Sequence, residues 1–170
     1  LARTRMIFPD GTAQVRHGVP HPTAIRHLLS AQVSTQSLVA EAALLHEVGG
    51  WDETLTCWQD YELGFRLLRH APRPAWCEQV FHRIYRTADS ITGHSLSANA
   101  SGIAAALCRL AEQVETPSAF PRATGDAQQL SAQCRRALWL RAHIVAGRFC
   151  AEGAAPSAES LLRAVSARLR

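Results

Sequence analysis

The sequence predicts an α/β fold that gives way to a helical tail, and three observations carry that prediction. Extended, β-favouring segments occur only before about residue 94. Short helical stretches are interleaved with them. From about residue 95 onward every periodic segment has helical spacing. The expected organisation is therefore an α/β part over residues 1–94 and a helical extension over 95–170. Hydrophobic residues make up 47% of the 170 and charged residues 19%, enough apolar surface to build a core and too much for a disordered chain.

The elements follow in order. Residues 3–8 and 12–17 alternate loosely about Pro9-Asp10-Gly11-Thr12, a turn signal, and predict a hairpin. Pro20 and Pro22 lead into a short helix with Ile25, Leu28 and Leu29 at helical spacing. Residues 33–39 read as a strand. Residues 41–48 read as a helix closed by Gly49-Gly50, where glycine is expected just past a C-terminus. A loop over 51–58 precedes a helix over about 59–70, with Tyr61, Phe65 and Leu68 on one stripe and Leu63 and Leu67 beside it. Glu62 and Arg66 are expected to pair on its exposed side. The 71–74 segment, with its two prolines, ends that helix.

Residues 75–85 read as one or two strands carrying Trp76, Val80, Phe81, Ile84 and Tyr85. The tail then gives an alanine-rich helix over 98–114, a linker over 117–125 and a long amphipathic helix over 126–150. The inward stripe of that helix is expected to hold Leu130, Cys134, Leu138, Val145 and Phe149. A last helix from Pro156 turns Leu161, Leu162, Val165 and Leu169 inward.

Composition narrows the function. The formal charge is +4, and all 18 basic residues are arginine, spread from Arg3 to Arg170 with no aromatic-laced stripe, so no nucleic-acid partner is expected. The five cysteines, Cys57, Cys77, Cys108, Cys134 and Cys150, form no CxxC, which argues against a disulfide framework or structural zinc and for a cytoplasmic setting. His17 and His21 are separated by Gly18 and Pro20, which keeps them off a common helix face as metal ligands. No apolar run approaches the ~20 residues a membrane span requires. The charged start at Leu1–Arg5 is not followed by the apolar stretch of a secretory leader. With Leu1 first and the only methionine at position 6, the chain is expected to be a piece of a longer protein.

The densest chemical segment is Val48-Gly49-Gly50-Trp51-Asp52-Glu53 followed by Trp58-Gln59-Asp60-Tyr61-Glu62-Leu63. Aromatic faces stack on sugar rings, and carboxylates accept hydrogen bonds from hydroxyls. A carboxylate at a loop–helix junction can act as general base if it reaches the proton. The same residues also have a plain structural reading. Asp60 would cap a helix, Asp52 and Glu53 would form a turn, and both tryptophans would be core.

These motifs, in this order, resemble the second half of a family 2 glycosyltransferase domain of the GT-A fold. The resemblance runs over about residues 30–92. It takes in Ser34-Thr35-Gln36-Ser37-Leu38-Val39, the helix Ala42-Ala43-Leu44-Leu45-His46-Glu47, and Gly49-Gly50-Trp51-Asp52-Glu53. It continues through Gln59-Asp60-Tyr61-Glu62-Leu63 to Tyr85-Arg86 and Ser90-Ile91-Thr92. It implies a partial GT-A mixed sheet of the nucleotide-diphospho-sugar transferase kind with flanking helices, ahead of the helical C-terminal tail. It also implies transfer of a sugar from a nucleotide-sugar donor to a hydroxyl on a glycan, lipid-linked or protein acceptor, with inversion.

By the same resemblance Asp60 is the general base. Trp51, Asp52, Trp58, Gln59 and Glu62 belong to the substrate side, with Gln59 standing where the family usually has glutamate. A divalent metal, Mg or Mn, is expected for the complete enzyme. Its Asp-x-Asp is absent here, so no metal ligand can be assigned, neither His82 nor His94, and the piece alone should be inactive. A sheet without the family's nucleotide-binding strands is expected to expose an apolar edge. The alternative is a non-catalytic sugar- or partner-binding domain of the same fold. Arg135, Arg136, Arg141 and Arg148 fit either a solvated face over a packed stripe or a peripheral contact at the inner face of a membrane.

Overall fold

A computed structural model describes residues 1–16, 18–70, 74–87, 95–116 and 127–169. Three strands and six α-helices appear among them. Strand β1 (Ala2–Ile7) is central, flanked by β2 (Ala13–Arg16) and β3 (Cys77–Tyr85) in the order β2-β1-β3. The β1–β2 pair is antiparallel, from Thr4 opposite Arg16 to Ile7 opposite Ala13, and β1–β3 is parallel, so the sheet is mixed. The hairpin closes where Asp10 Oδ1 accepts from the Thr12 amide at 2.9 Å and the Thr12 hydroxyl at 2.7 Å. The 75–85 segment forms one strand rather than two.

Helices α1 (Ala24–Ser30), α2 (Ala42–Glu47) and α3 (Gln59–Arg69) lie between β2 and β3. Helix α2 stops as its two glycines predict. Gly49 and Gly50 take φ of +84° and +66°, and their amides return to the carbonyls of His46 and Leu45. After β3, a 3-10 turn (Leu96–Asn99) leads into α4 (Ala100–Glu115), followed by α5 (Ala127–Ala151) and α6 (Ala155–Arg168). Pro72, Arg73, Ser90-Ile91-Thr92, His17, His94 and the 117–125 linker lie outside the described residues.

One expected strand is not a strand. Residues 33–39 hold a 3-10 turn, Thr35–Ser37, with extended residues on either side. The cause is local side-chain chemistry. The Ser37 amide donates to the Ser34 carbonyl at 2.9 Å, and the Ser34 amide to Ser37 Oγ at 3.3 Å. Serine hydroxyls of this kind offer the backbone an alternative to a sheet ladder. The turn then packs on β1, where the Thr4 hydroxyl donates to the Gln36 carbonyl.

The main core is helical. It gathers Leu28 from α1, Tyr61 and Phe65 from α3, and Ile103, Leu107 and Leu110 from α4. Leu138, Val145 and Phe149 come from α5, and Leu161 and Val165 from α6. No strand residue is among its buried members. The core therefore joins residues on both sides of position 94, and the sheet sits at its margin. Strand β3, at one edge of the sheet, leaves Phe81 57% and Tyr85 64% exposed. Among the described residues no helix is long and apolar enough to cross a membrane.

The Glu62–Arg66 pair is not on an exposed face. The Glu62 side chain is fully buried. Its carboxylate accepts from Arg66 Nε at 2.6 Å and Nη2 at 2.5 Å, and from the Gln113 amide of α4. Arg66 also donates to the Val48 carbonyl, so the pair ties α3 to α4 and to the end of α2. Helix α4, which sequence periodicity cannot orient, covers what an isolated helix would leave in water.

Candidate functional site

The loop before α3 is built by short-range hydrogen bonds. Asp52 Oδ1 accepts from the Thr54 amide at 3.0 Å and from its hydroxyl at 2.5 Å, the turn geometry expected of Asp at this position. Asp52 Oδ2 accepts from Arg109 Nε of α4 at 2.9 Å. The hydroxyl of Thr54, first, and Arg109 hold the Asp52 carboxyl below its ordinary range, while its slight burial opposes them. Leu55 and Cys57 are buried beneath the loop. Gly102 of α4 admits it, since a Cβ there would stand 2.6 Å from Thr56 Oγ1 and 2.8 Å from Cys57 Sγ.

The loop enters α3 through a strained residue. Trp58 is the N-cap with φ 60° and ψ 23°, a left-handed conformation that costs a non-glycine residue about 1–3 kcal/mol. Its indole cannot cap the helix; it stands edge-on to Tyr61 at 5.2 Å, with the Arg141 guanidinium 5.1 Å from its ring centre. Asp60 therefore falls at the second helical position rather than at the cap. The backbone amides of Tyr61 and of Thr35 in the 3-10 turn act on its carboxylate. Burial pushes the Asp60 carboxyl above the usual carboxylate range, and the nearby backbone amides pull it part of the way back.

Around this junction lies a cavity of about 830 Å³. Trp51, Asp52, Glu53, Trp58, Gln59 and Asp60 line one wall. Five of the six residues expected on or beside the substrate are thus brought together. Glu62 is not one of them: it points into the helical core, where it holds elements together. Trp51, 44% exposed, is not core, whereas Trp58 is half-buried and packs against the helical core. Gln59 spends an amide hydrogen on the Leu55 carbonyl at 2.8 Å.

Three arginines complete the lining: Arg16 at the end of β2, Arg86 just past β3, and Arg148 near the end of α5. Sequence reasoning did not place them together. They are far apart in the chain and sit among fifteen other arginines, and only the fold converges them. The cavity therefore offers carboxylates and cations together with two indole faces, a lining suited to a hydroxyl-rich ligand carrying negative charge.

Among the described residues no group of three His, Cys, Asp or Glu side chains could hold a metal ion. Asp52 is committed to Thr54 and Arg109. Comparison with known proteins finds no matching family model, no matching curated protein and no matching solved structure.

Proposed function

We propose that this chain is the acceptor-side part of a GT-A-type glycosyltransferase, with Asp60 as the base that receives the acceptor's proton. The observation that carries the reading is the cavity, which Asp60 lines together with Trp51, Trp58 and Gln59. A sugar ring would stack on the indoles. As the acceptor hydroxyl attacks the anomeric carbon, its proton passes to the Asp60 carboxylate, the new glycosidic bond forms, and the bond to the nucleoside diphosphate breaks. A carboxylate raised by burial is a better base than an ordinary surface aspartate, provided it stays ionised at working pH.

The test is Asp60→Asn in the full-length protein, assayed with a panel of uridine, guanosine and thymidine diphosphate sugars. Transfer should fall at least about 100-fold, the usual contribution of a positioned base, with little change in acceptor KM. Undiminished transfer would remove Asp60 from the reaction.

One observation favours the second reading, a non-catalytic sugar- or partner-binding domain. Asp52 is bonded to Thr54 and Arg109, and Gln59 to the Leu55 carbonyl, so two of the lining residues have structural tasks. Under that reading wild-type protein transfers no sugar, and glycan binding measured by calorimetry survives loss of the carboxylate.

A further inference from the structure

Helix α5 is apolar on two faces. Its inner face packs Cys134, Ala137, Leu138, Val145 and Phe149 into the core, as an amphipathic helix should. Its outer face should then be polar. Instead Trp139, Leu140 and Ile144 are 45%, 39% and 49% exposed. They lie on a stripe that begins at Arg136 and runs in four-residue steps through Leu140 and Ile144 to Arg148, with Trp139 and His143 alongside.

The stripe itself carries no carboxylate. The 25 residues of α5 contain four arginines and no Asp or Glu. Helix α1, packed beside it, adds an exposed Arg26 and no carboxylate. Among the described residues, the carboxylates of the other elements against α5 are engaged. Glu112 pairs with Arg109 and Arg168, Glu115 with Arg135, and Glu159 with Arg163. Glu152 accepts from the amides of Leu96 and Ser97.

We infer that the outer face of α5 docks on an anionic membrane surface, lying in the interface rather than crossing it. Exposed tryptophan, leucine and isoleucine beside Arg136, which pairs with no carboxylate among the described residues, is the pattern of an interfacial helix, the apolar side chains entering the headgroup boundary and the guanidinium meeting lipid phosphates. Arg148 belongs both to this stripe and to the cavity lining, so docking brings that side of the cavity to the bilayer. The inference does not depend on sugar transfer.

Its test is co-sedimentation of the chain with vesicles of phosphatidylcholine alone and of phosphatidylcholine mixed with phosphatidylglycerol. Binding to the mixed vesicles is expected, weakened by added salt and weak on the neutral ones. Arg136→Gln should lower it about fivefold, the worth of one arginine near such a surface. Trp139→Ser combined with Ile144→Ser should lower it more than about tenfold, since two apolar anchors are lost. Circular dichroism checks that each variant is folded, and gel filtration reads its oligomeric state. Absence of binding to mixed vesicles, or binding unchanged in both variants, overturns the inference. A dimer that the serine variant dissociates, with no vesicle binding, overturns it in favour of contact between two copies of the chain.

Discussion

His27 hydrogen-bonds in two directions from inside the core. The Val33 amide donates to its Nδ1 at 3.1 Å, so Nδ1 is an acceptor and the ring proton sits on Nε2, which donates to the Tyr61 carbonyl at 2.8 Å. That arrangement requires neutral imidazole. Burial first, against the bond to Tyr61 and with help from Arg141, lowers its pKa from 6.5 to about 4. The folded state therefore resists a proton that the unfolded chain accepts. The stability this supplies is present above about pH 6.5 and is lost as pH falls toward about 4, a total of about 3 kcal/mol from the size of the shift. Urea unfolding of wild type and His27→Gln between neutral pH and pH 4.5 reads this directly. Wild type should lose stability more steeply across that window, and equal slopes would mean that His27 is not the titrating group. The sequence carries no sign of the role. His27 is one of eight histidines, and its partners lie six and thirty-four positions away. Asp60 and the two tryptophans were legible for the opposite reason, because their neighbours in sequence are also their neighbours in space.

The packing of α1 on α3 turns on the same ring. Gly64 lies mid-helix in α3, where glycine ordinarily costs about 1 kcal/mol relative to alanine. A Cβ at this position would stand 2.7 Å from Cε1 and Nε2 of His27 and 3.2 Å from Val33 Cβ. The ring is pinned by two hydrogen bonds and cannot swing aside. Gly64→Ala should therefore destabilise the protein by about 1–3 kcal/mol despite the gain in helix propensity. Gly147→Ala in α5 meets nothing within 4 Å and should stabilise it by up to about 1 kcal/mol. Opposite signs in two thermal melts are the expected result. Two shifts of the same sign would show that propensity or strain, not the approach of α1 to α3, decides at both sites. Elements of this kind were largely readable from the sequence, since helices α1 to α6 follow the 3.6-residue period. Residues 33–39 were not, because their β-favouring composition is overridden by serine hydrogen bonds.

Across the whole molecule, the order of elements was legible but their division of labour was not. The arginines that converge on the cavity come from β2, from the residue after β3 and from α5, and no local pattern brings positions 16, 86 and 148 together. The core likewise ignores the boundary at 94. Before it the buried cluster has only Ala24, Leu28, Cys57, Tyr61 and Phe65; Ile103, Leu107, Leu110, Leu138, Phe149, Leu161 and others follow it. Polar contacts cross it too, the Asp52–Arg109 ion pair and the hydrogen bond that Gln113 of α4 donates to Glu62. Residues 1–94 alone would expose Phe65, Leu28 and the buried Glu62–Arg66 pair to water. They would keep a three-stranded sheet whose third strand is mostly exposed and the packing of α1 on α3, too little to offset about 1–2 kcal/mol of conformational entropy per residue. A chain ending at 94 should therefore show no cooperative thermal transition and narrow amide dispersion by NMR, whereas the full chain melts as one unit. A cooperative melt of the truncated chain would mean that the sheet and α1–α3 carry their own core and that α4–α6 are an appendage. In that case the α5 arginine on the cavity rim would be supplied by a separable body, and the cavity would open when that body is removed.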